Sequence, residues 1–347
     1  MPTARGVVRR PLRVGPWSGR VAPRTAALVA AASAAVVALG LWAVLLGDFP
    51  LSVVDVLAAA VGGGEGREAF IVRTLRLPRV LAAIGVGFAL ATSGAIFQGL
   101  VRNPLVAPDI IGVMAGATLA AVVSIVVLRS PAIVPVAALT GALAATVAVY
   151  GLTWRKGISG NRLVVVGIGV NALLIALTTL VIVRFPVEFV TTAIVWMTGT
   201  LYASAWRDVA WLAASLVVLL PAALALLPQL RIVQLGDDVA AALGAHTEAS
   251  RAALLGTGAT LAAAAVAVSG PVAFVALMTP HIARMLAGPL TGGVLLLAGL
   301  IGAALVVASD IVGQHAFSPI SLPVGIVTAV VGAPYFMFLL VRANRTT

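Results

Sequence analysis

The three histidines, His246, His281 and His315, are the side chains best suited to proton transfer or metal ligation near neutral pH, and they lie in separate segments. No H-E-x-x-H places two of them on one helix face, and no spacing assembles a Ser/His/Asp set. A G-x-x-x-x-G-K-[ST] phosphate loop is absent, so the chain carries no ATP-hydrolysing site of that type. Cysteine is absent as well, which excludes disulfides and thiolate metal ligands. The polar residues whose placement does carry information are few. Arg76 and Arg79 bracket Leu77-Pro78 ahead of a long apolar run, Gln98 and Asn171 are amides inside apolar runs, and Asp237 and Asp238 follow Gly236 in a polar stretch. Their chemistry is contact and recognition rather than covalent catalysis.

The elements that must position these residues are membrane helices. Of 347 residues, 61% are hydrophobic and 10% charged, and mean hydropathy is +1.14. A soluble domain carries about 25% charged residues, so the chain reads as an all-α polytopic membrane protein embedded in lipid. Its net charge of +11 is then a sign of cytoplasmic loops rather than of nucleic-acid binding. Residues 1–25 read as a basic cytoplasmic tail, and the first apolar run is too long for a signal-peptide core. Apolar runs between charged or Pro/Gly punctuation predict ten spans, near 26–46, 80–101, 111–128, 132–152, 163–183, 209–227, 252–268, 271–286, 294–308 and 323–341. Ser269-Gly270-Pro271 separates the seventh from the eighth. The chain thus reads as one ten-helix membrane domain over 26–343.

Charge fixes the orientation. With ten spans and both termini inside, 15 of the 22 basic residues fall on the cytoplasmic side: Arg5, Arg9, Arg10, Arg13, Arg20, Arg24, Arg102, Arg155, Lys156, Arg162, Arg231, Arg251, Arg284, Arg342 and Arg345. Seven of the eleven acids, Asp48, Asp55, Glu65, Glu68, Glu188, Asp208 and Asp310, fall outside. Nine spans would put Arg342 and Arg345 on the wrong side.

Arg73, Arg76 and Arg79 run against that bias as the densest basic cluster of the outer face. Pro78 suits a first helical turn, which would set Arg76 and Arg79 at a helix N-terminus, where the macrodipole disfavours cations. They are snorkelling anchors or a docking site for an acidic external partner, and the two unfavourable terms favour docking. The spans themselves lack the ionisable groups that ion-coupled carriers use, because Arg184, His281, Arg284 and Asp310 all fall near span ends. Gln98 and Asn171 are open to two readings, interhelical hydrogen bonds or contacts to cargo. A path of neutral side chains suits a bulky chelated or organic cargo better than a bare metal ion. On the cytoplasmic side, 228–251 is the longest segment between spans. Gly236, Asp237 and Asp238 open a short helix there, Val239 and Leu243 give it an apolar face beside Ala240, and Gly244 closes it. It is a contact surface for another subunit or an ordinary interfacial helix.

Five blocks in order resemble the FecCD-like permeases, the membrane subunits of binding-protein-dependent ABC importers for iron–siderophores, haem and cobalamin. They are R-L-P-R (76–79) through Gly85, Gly94 and Gln98 to R-N-P-L (102–105), Pro108 and Gly112; Arg162-Leu163 to Gly167 and Asn171; Trp196 through Gly199-Thr200-Leu201; Leu235-Gly236-Asp237-Asp238 to Leu243-Gly244; and G-P-V-A-F-V-A-L-M-T-P-H-I-A-R (270–284) with Asp310, L-P-V-G-I (322–326) and G-A-P-Y-F (332–336). The resemblance spans about 30–343. It implies ten helices with both ends cytoplasmic, a second permease subunit as homo- or heterodimer, and two ATPase subunits that hold the ATP and Mg²⁺. It also implies an extracytoplasmic substrate-binding protein and a place in the plasma (inner) membrane of a prokaryote. By the same resemblance, Gly236–Gly244 seats in the ATPase, and Arg76 and Arg79 meet glutamates of the binding protein. The implied cargo is a ferric siderophore, with haem or cobalamin as alternatives. Two positions depart from the family pattern: Gln314 stands where an Arg is frequent, and Ser321 where a Glu is frequent. The rival outside the family is an ion-coupled secondary transporter of a small organic solute. An intramembrane enzyme is disfavoured by the lack of paired catalytic groups.

Overall fold

The structure is a computed structural model that describes residues 10–14, 17–47, 49, 51–60, 62–63, 66–154, 160–244, 246–317 and 319–344. Arg5, Arg9, Asp48, Glu65, Arg155, Lys156 and Arg345 of the charge count lie outside the described residues. The chain opens with an antiparallel hairpin, β1 (Arg10–Val14) against β2 (Trp17–Val21), with Arg10 opposite Val21. From Pro23 onward the described elements are helical. They are α1 (Pro23–Leu45), α2 (Val53–Ala60), α3 (Arg67–Phe70), α4 (Leu77–Val101), α5 (Val113–Val122), α6 (Val134–Thr153) and α7 (Gly160–Arg184). Then follow α8 (Val187–Met197), α9 (Trp206–Gln234), α10 (Asp237–Ala242), α11 (Thr247–Ser269), α12 (Val275–Ala287), α13 (Gly292–His315) and α14 (Val324–Asn344).

Among the described residues, seven helices are long and apolar enough to cross a membrane: α1, the helix containing α4, and α6, α7, α9, α11 and α13. α5 with the turn that follows it, α12 and α14 occupy the remaining three expected positions. The break between the seventh and eighth spans falls where Gly270 adopts φ 67° and ψ −175°, a conformation open to glycine. The short helices α2 and α8 lie outside the ten expected runs.

Boundaries differ from expectation at the second, sixth and ninth spans, the ninth running on from 308 to His315. The second span does not begin near Pro78. Its helix runs from Arg67 to Val101, with a π-helical turn over Ile71–Arg76. In that turn the Leu77 N–H donates to the Val72 carbonyl, and the wider backbone leaves room for the Pro78 ring, which would otherwise press on the preceding turn. The sixth span continues past Pro228 to Gln234, so the first part of 228–251 is still helix. Proline is tolerated inside membrane helices because neighbours re-satisfy the freed carbonyls.

The core is built around α4. In its most apolar stretch 83% of the residues are buried, against 67% for α11 and α13 and 11% for α7 and α9. This sorts the bundle into a central α4, α11 and α13 and an outer layer that faces lipid or partners. Lipid supplies no hydrophobic drive between helices, so association rests on close packing. A Cβ at Gly87 would overlap the Gly302 carbonyl of α13, and one at Gly94 would overlap the Ala276 backbone of α12. Gly94→Leu is therefore expected to cost more than the roughly 1–3 kcal/mol of ordinary overpacking, because backbone rather than a mobile side chain stands opposite. Gly256→Leu, with nothing within 4 Å, serves as its control. Size-exclusion profiles of the two detergent-purified variants check this: aggregation or loss is expected for the first, and a native peak for the second.

Candidate functional site

The three outer arginines sit well inside a continuous helix rather than at its start, which removes the dipole objection to them. Each is held by groups within the chain. Arg73 Nε donates to the Ala59 carbonyl at 2.7 Å and Nη2 to that of Gly63, capping the end of α2. Arg76 Nη1 donates to Val44 O at 2.8 Å and Nη2 to Phe49 O at 2.9 Å. That guanidinium closes the C-terminus of α1, where a cation is favoured. Arg79 forms a two-point pair with Asp310 of α13, Nε to Oδ2 at 2.9 Å and Nη2 to Oδ1 at 2.8 Å. Gln314, one turn later, donates to Asp310 Oδ2 at 2.7 Å, so the amide at this position completes the clamp. The compensating carboxylate for Arg79 is thus Asp310, and the arginine cluster ties α1, α2 and α13 to the central helix.

Gln98 and Asn171 separate. Gln98 is 2% exposed, and its Nε2 donates to Leu277 O of α12 at 2.8 Å. Its Oε1 accepts from Arg284 Nη2. It is an interhelical tie between α4 and α12, and it reaches only a cavity of about 600 Å³ that is also lined by Arg102, Asn103, Gln234, His281 and Arg284. Asn171 instead lines the larger cavity, of about 850 Å³. Two helix faces form half of that wall: Asn171, Ile175, Thr178 and Thr179 on α7, and Gly325, Ile326, Ala329, Val330 and Ala333 on α14.

Met114, Ala115 and Thr118 of α5, Met197 and Thr198 at the end of α8, and non-helical backbone from 103–112 (Asp109, Ile110) and 270–274 (Pro271, Ala273) complete the wall. Both stretches lie deep in the bundle. A Cβ on Gly160, at the start of α7, would sit 3.2 Å from Val101, whereas one on Gly167 would sit 2.9 Å from Ile111. Gly112 lies beside Asn171 in the same way, 3.5 Å from its backbone nitrogen. At 1.5 Å per helical residue the chain therefore climbs roughly 10–16 Å after Val101, near the middle of a hydrocarbon core of about 30 Å. On the other side, Ser93 donates to Gly258 O at 2.6 Å and the adjacent Gly94 meets Ala276. Ala276 is then level with Gly258, some 16 Å back down from Ser269. Irregular backbone at such depth occurs only where it is buried in protein or lines a watery cavity.

Asp109 is the cavity-lining side chain that the sequence reading missed. Among the described residues it is the one ionisable group on the wall of the larger cavity, so that wall is not lined by neutral groups alone. Hydropathy counts 103–110 as a cytoplasmic loop, and the Pro108-Asp109 pair supports that. The available signal was the apolar run Val106-Ala107 and Ile110-Ile111 on either side of the pair, unusual for a solvated turn.

At the cytoplasmic end, Arg102 ends α4 in a left-handed conformation, φ 59°. Leu105 N–H donates to Asn103 Oδ1 at 2.9 Å, an Asx turn that starts the climb. Nearby, α10 spans Asp237–Ala242 between Gly236 (φ 104°) and Gly244 (φ 71°), both positions suited to glycine. Ala240 is fully buried against the bundle, while Val239 and Leu243 are 47% and 62% exposed. The side chains of Asp237 and Asp238 lie outside what is described. Val239 and Leu243 thus leave an exposed apolar face at this end of the bundle.

Comparison with known proteins matches residues 35–342 to the FecCD transport family. The chain is 40% identical over 336 residues to the achromobactin transport system permease protein CbrC of Dickeya dadantii (strain 3937), covering 96% of each. It is 39% identical over 314 residues to the ferric enterobactin transport system permease protein FepG of Escherichia coli (strain K12), covering 90% of this chain and 94% of that one. In structure it resembles a solved inward-facing ABC transporter whose description assigns it to the metal-chelate type. The TM-score is 0.81 and identity 26%, over 91% of this chain and 99% of that one.

Proposed function

The chain belongs to the FecCD transport family, and from that premise we propose that it imports a ferric siderophore in an ATP-driven complex. It is a multi-pass membrane permease of the metal-chelate type of ABC importer. The observation that carries the cargo reading is the cavity of about 850 Å³ at mid-membrane depth, within the size range that takes a small organic ligand. Relatives named for achromobactin and ferric enterobactin favour a ferric siderophore over haem or cobalamin. A second permease subunit covers the open side of the cavity along α7 and α14. Two ATPase subunits hold ATP and Mg²⁺ and seat on the α10 face, and their closure tilts the helices as rigid bodies. Outside the membrane a substrate-binding protein docks on Arg76 and Arg79 with acidic side chains. Asp310 uses Nε and Nη2 of Arg79, and a guanidinium has five N–H groups, so donors remain for an incoming carboxylate. The complex resides in the plasma (inner) membrane of a prokaryote.

Asp109 also favours a second reading, an ion-coupled carrier, because an intramembrane carboxylate is what a coupling ion requires. The α10 face has no use in such a carrier. Deleting the chain from its host is expected to abolish uptake of radioactive iron presented as its ferric siderophore, with recovery on re-expression. Undiminished uptake of every ferric siderophore tested would contradict the cargo reading.

A further inference from the structure

Asp109 stands on the wall of the cavity with one carboxylate oxygen unpaired. Its Oδ1 is buried and without a hydrogen-bond partner from the described residues. No cation lines the cavity among the described residues. The hydroxyls there are spent on their own helices: Thr118 donates to Met114 O at 2.8 Å, Thr178 to Leu174 O at 2.8 Å, and Thr179 to Ile175 O at 3.0 Å. Thr198 likewise donates to Val195 O at 2.6 Å. A carboxyl with one buried oxygen left unpaired is costly, and charged groups retained inside membrane proteins mark substrate pathways.

We propose that Asp109 is a cargo-binding residue that receives a protonated amine on the metal chelate, so that the permease itself selects amine-bearing chelates. This rests on the importer reading above. The cavity supplies the room, the mid-membrane depth supplies the low dielectric that strengthens such a contact, and the absence of a competing cation leaves the carboxylate to the cargo.

The test uses the complete complex in liposomes with saturating binding protein, so that the binding protein's own affinity drops out. The probes are a ferric trihydroxamate with a pendant primary amine and its N-acetylated form. The wild type is expected to import the amine form about tenfold faster, the scale of one charge-assisted hydrogen bond. Asp109→Asn should bring the ratio near one, and Asp109→Glu should keep most of the preference. Equal rates for the two chelates in the wild type would overturn the proposal without any variant, as would an unchanged ratio in Asp109→Asn. If an assembled, ATP-hydrolysing complex imports neither chelate nor any other ferric siderophore, the importer reading itself falls, and this proposal with it.

Discussion

Arg79→Glu is expected to be the most damaging single charge change on the outer face. Asp310 is 4% exposed and relies on Arg79 at 2.9 and 2.8 Å and on Gln314 at 2.7 Å. Removing one partner of a buried pair costs about 3–5 kcal/mol, because the other charge is left uncompensated. The Arg79 side chain is 21% exposed, so water relieves part of this and the lower end applies. A fall in melting temperature of roughly 4 °C follows, read on the detergent-purified protein. The same change should abolish pull-down by the binding protein while ATPase association survives. The exchanged pair, Arg79→Asp with Asp310→Arg, separates the two roles. It restores most of the melting temperature but leaves the cation on α13, so docking stays weak. Docking that recovers together with stability would make Arg79 a purely structural residue. Unchanged docking in a double charge reversal of Arg76 and Arg79 would refute the docking role.

The second large effect is expected on the opposite face. Val239 on α10 and Leu243 just after it stand 47% and 62% exposed, while Ala240 anchors the helix at 0%. Fully burying one such side chain contributes about 1.5–3 kcal/mol, so replacing both with glutamate should weaken ATPase association on the order of 100-fold. The fold should be untouched, because neither side chain belongs to the core. The readout is co-purification of the ATPase, with melting temperature as the control. Full ATPase retention and normal uptake in that double variant would remove α10 from the coupling path.

How legible all this was in the sequence depends on what each signal measures. Apolar runs located the membrane helices, because a helix in lipid must satisfy its own backbone and stay apolar over its length, but not all of their ends, the sixth and ninth running on to Gln234 and His315. The same rule misplaced the start of the second span. Arg73, Arg76 and Arg79 end an apolar run on paper, but the carbonyls of α1 and α2 and the Asp310 carboxylate neutralise them in the fold. These partners are 231 residues away for Arg79 and invisible to a local reading. Gln98 proved to be an interhelical tie, whereas Asn171 faces the cavity, and hydropathy cannot separate the two. Asp109 was lost for a related reason. A polar turn and a backbone stretch that climbs back into the membrane have similar compositions, and contacts of Ile111 and Gly112 with the middle of α7 tell them apart.

The central claim is that transport through this chain is driven by ATP hydrolysis on partner subunits. The most direct measurement is ferric siderophore uptake into liposomes holding the permease, its ATPase and its binding protein. One arm carries a hydrolysis-deficient ATPase, and the other carries ionophores that collapse proton and sodium gradients. The account predicts no uptake in the first arm and full uptake in the second. Uptake that persists with the deficient ATPase and disappears with the ionophores would contradict it.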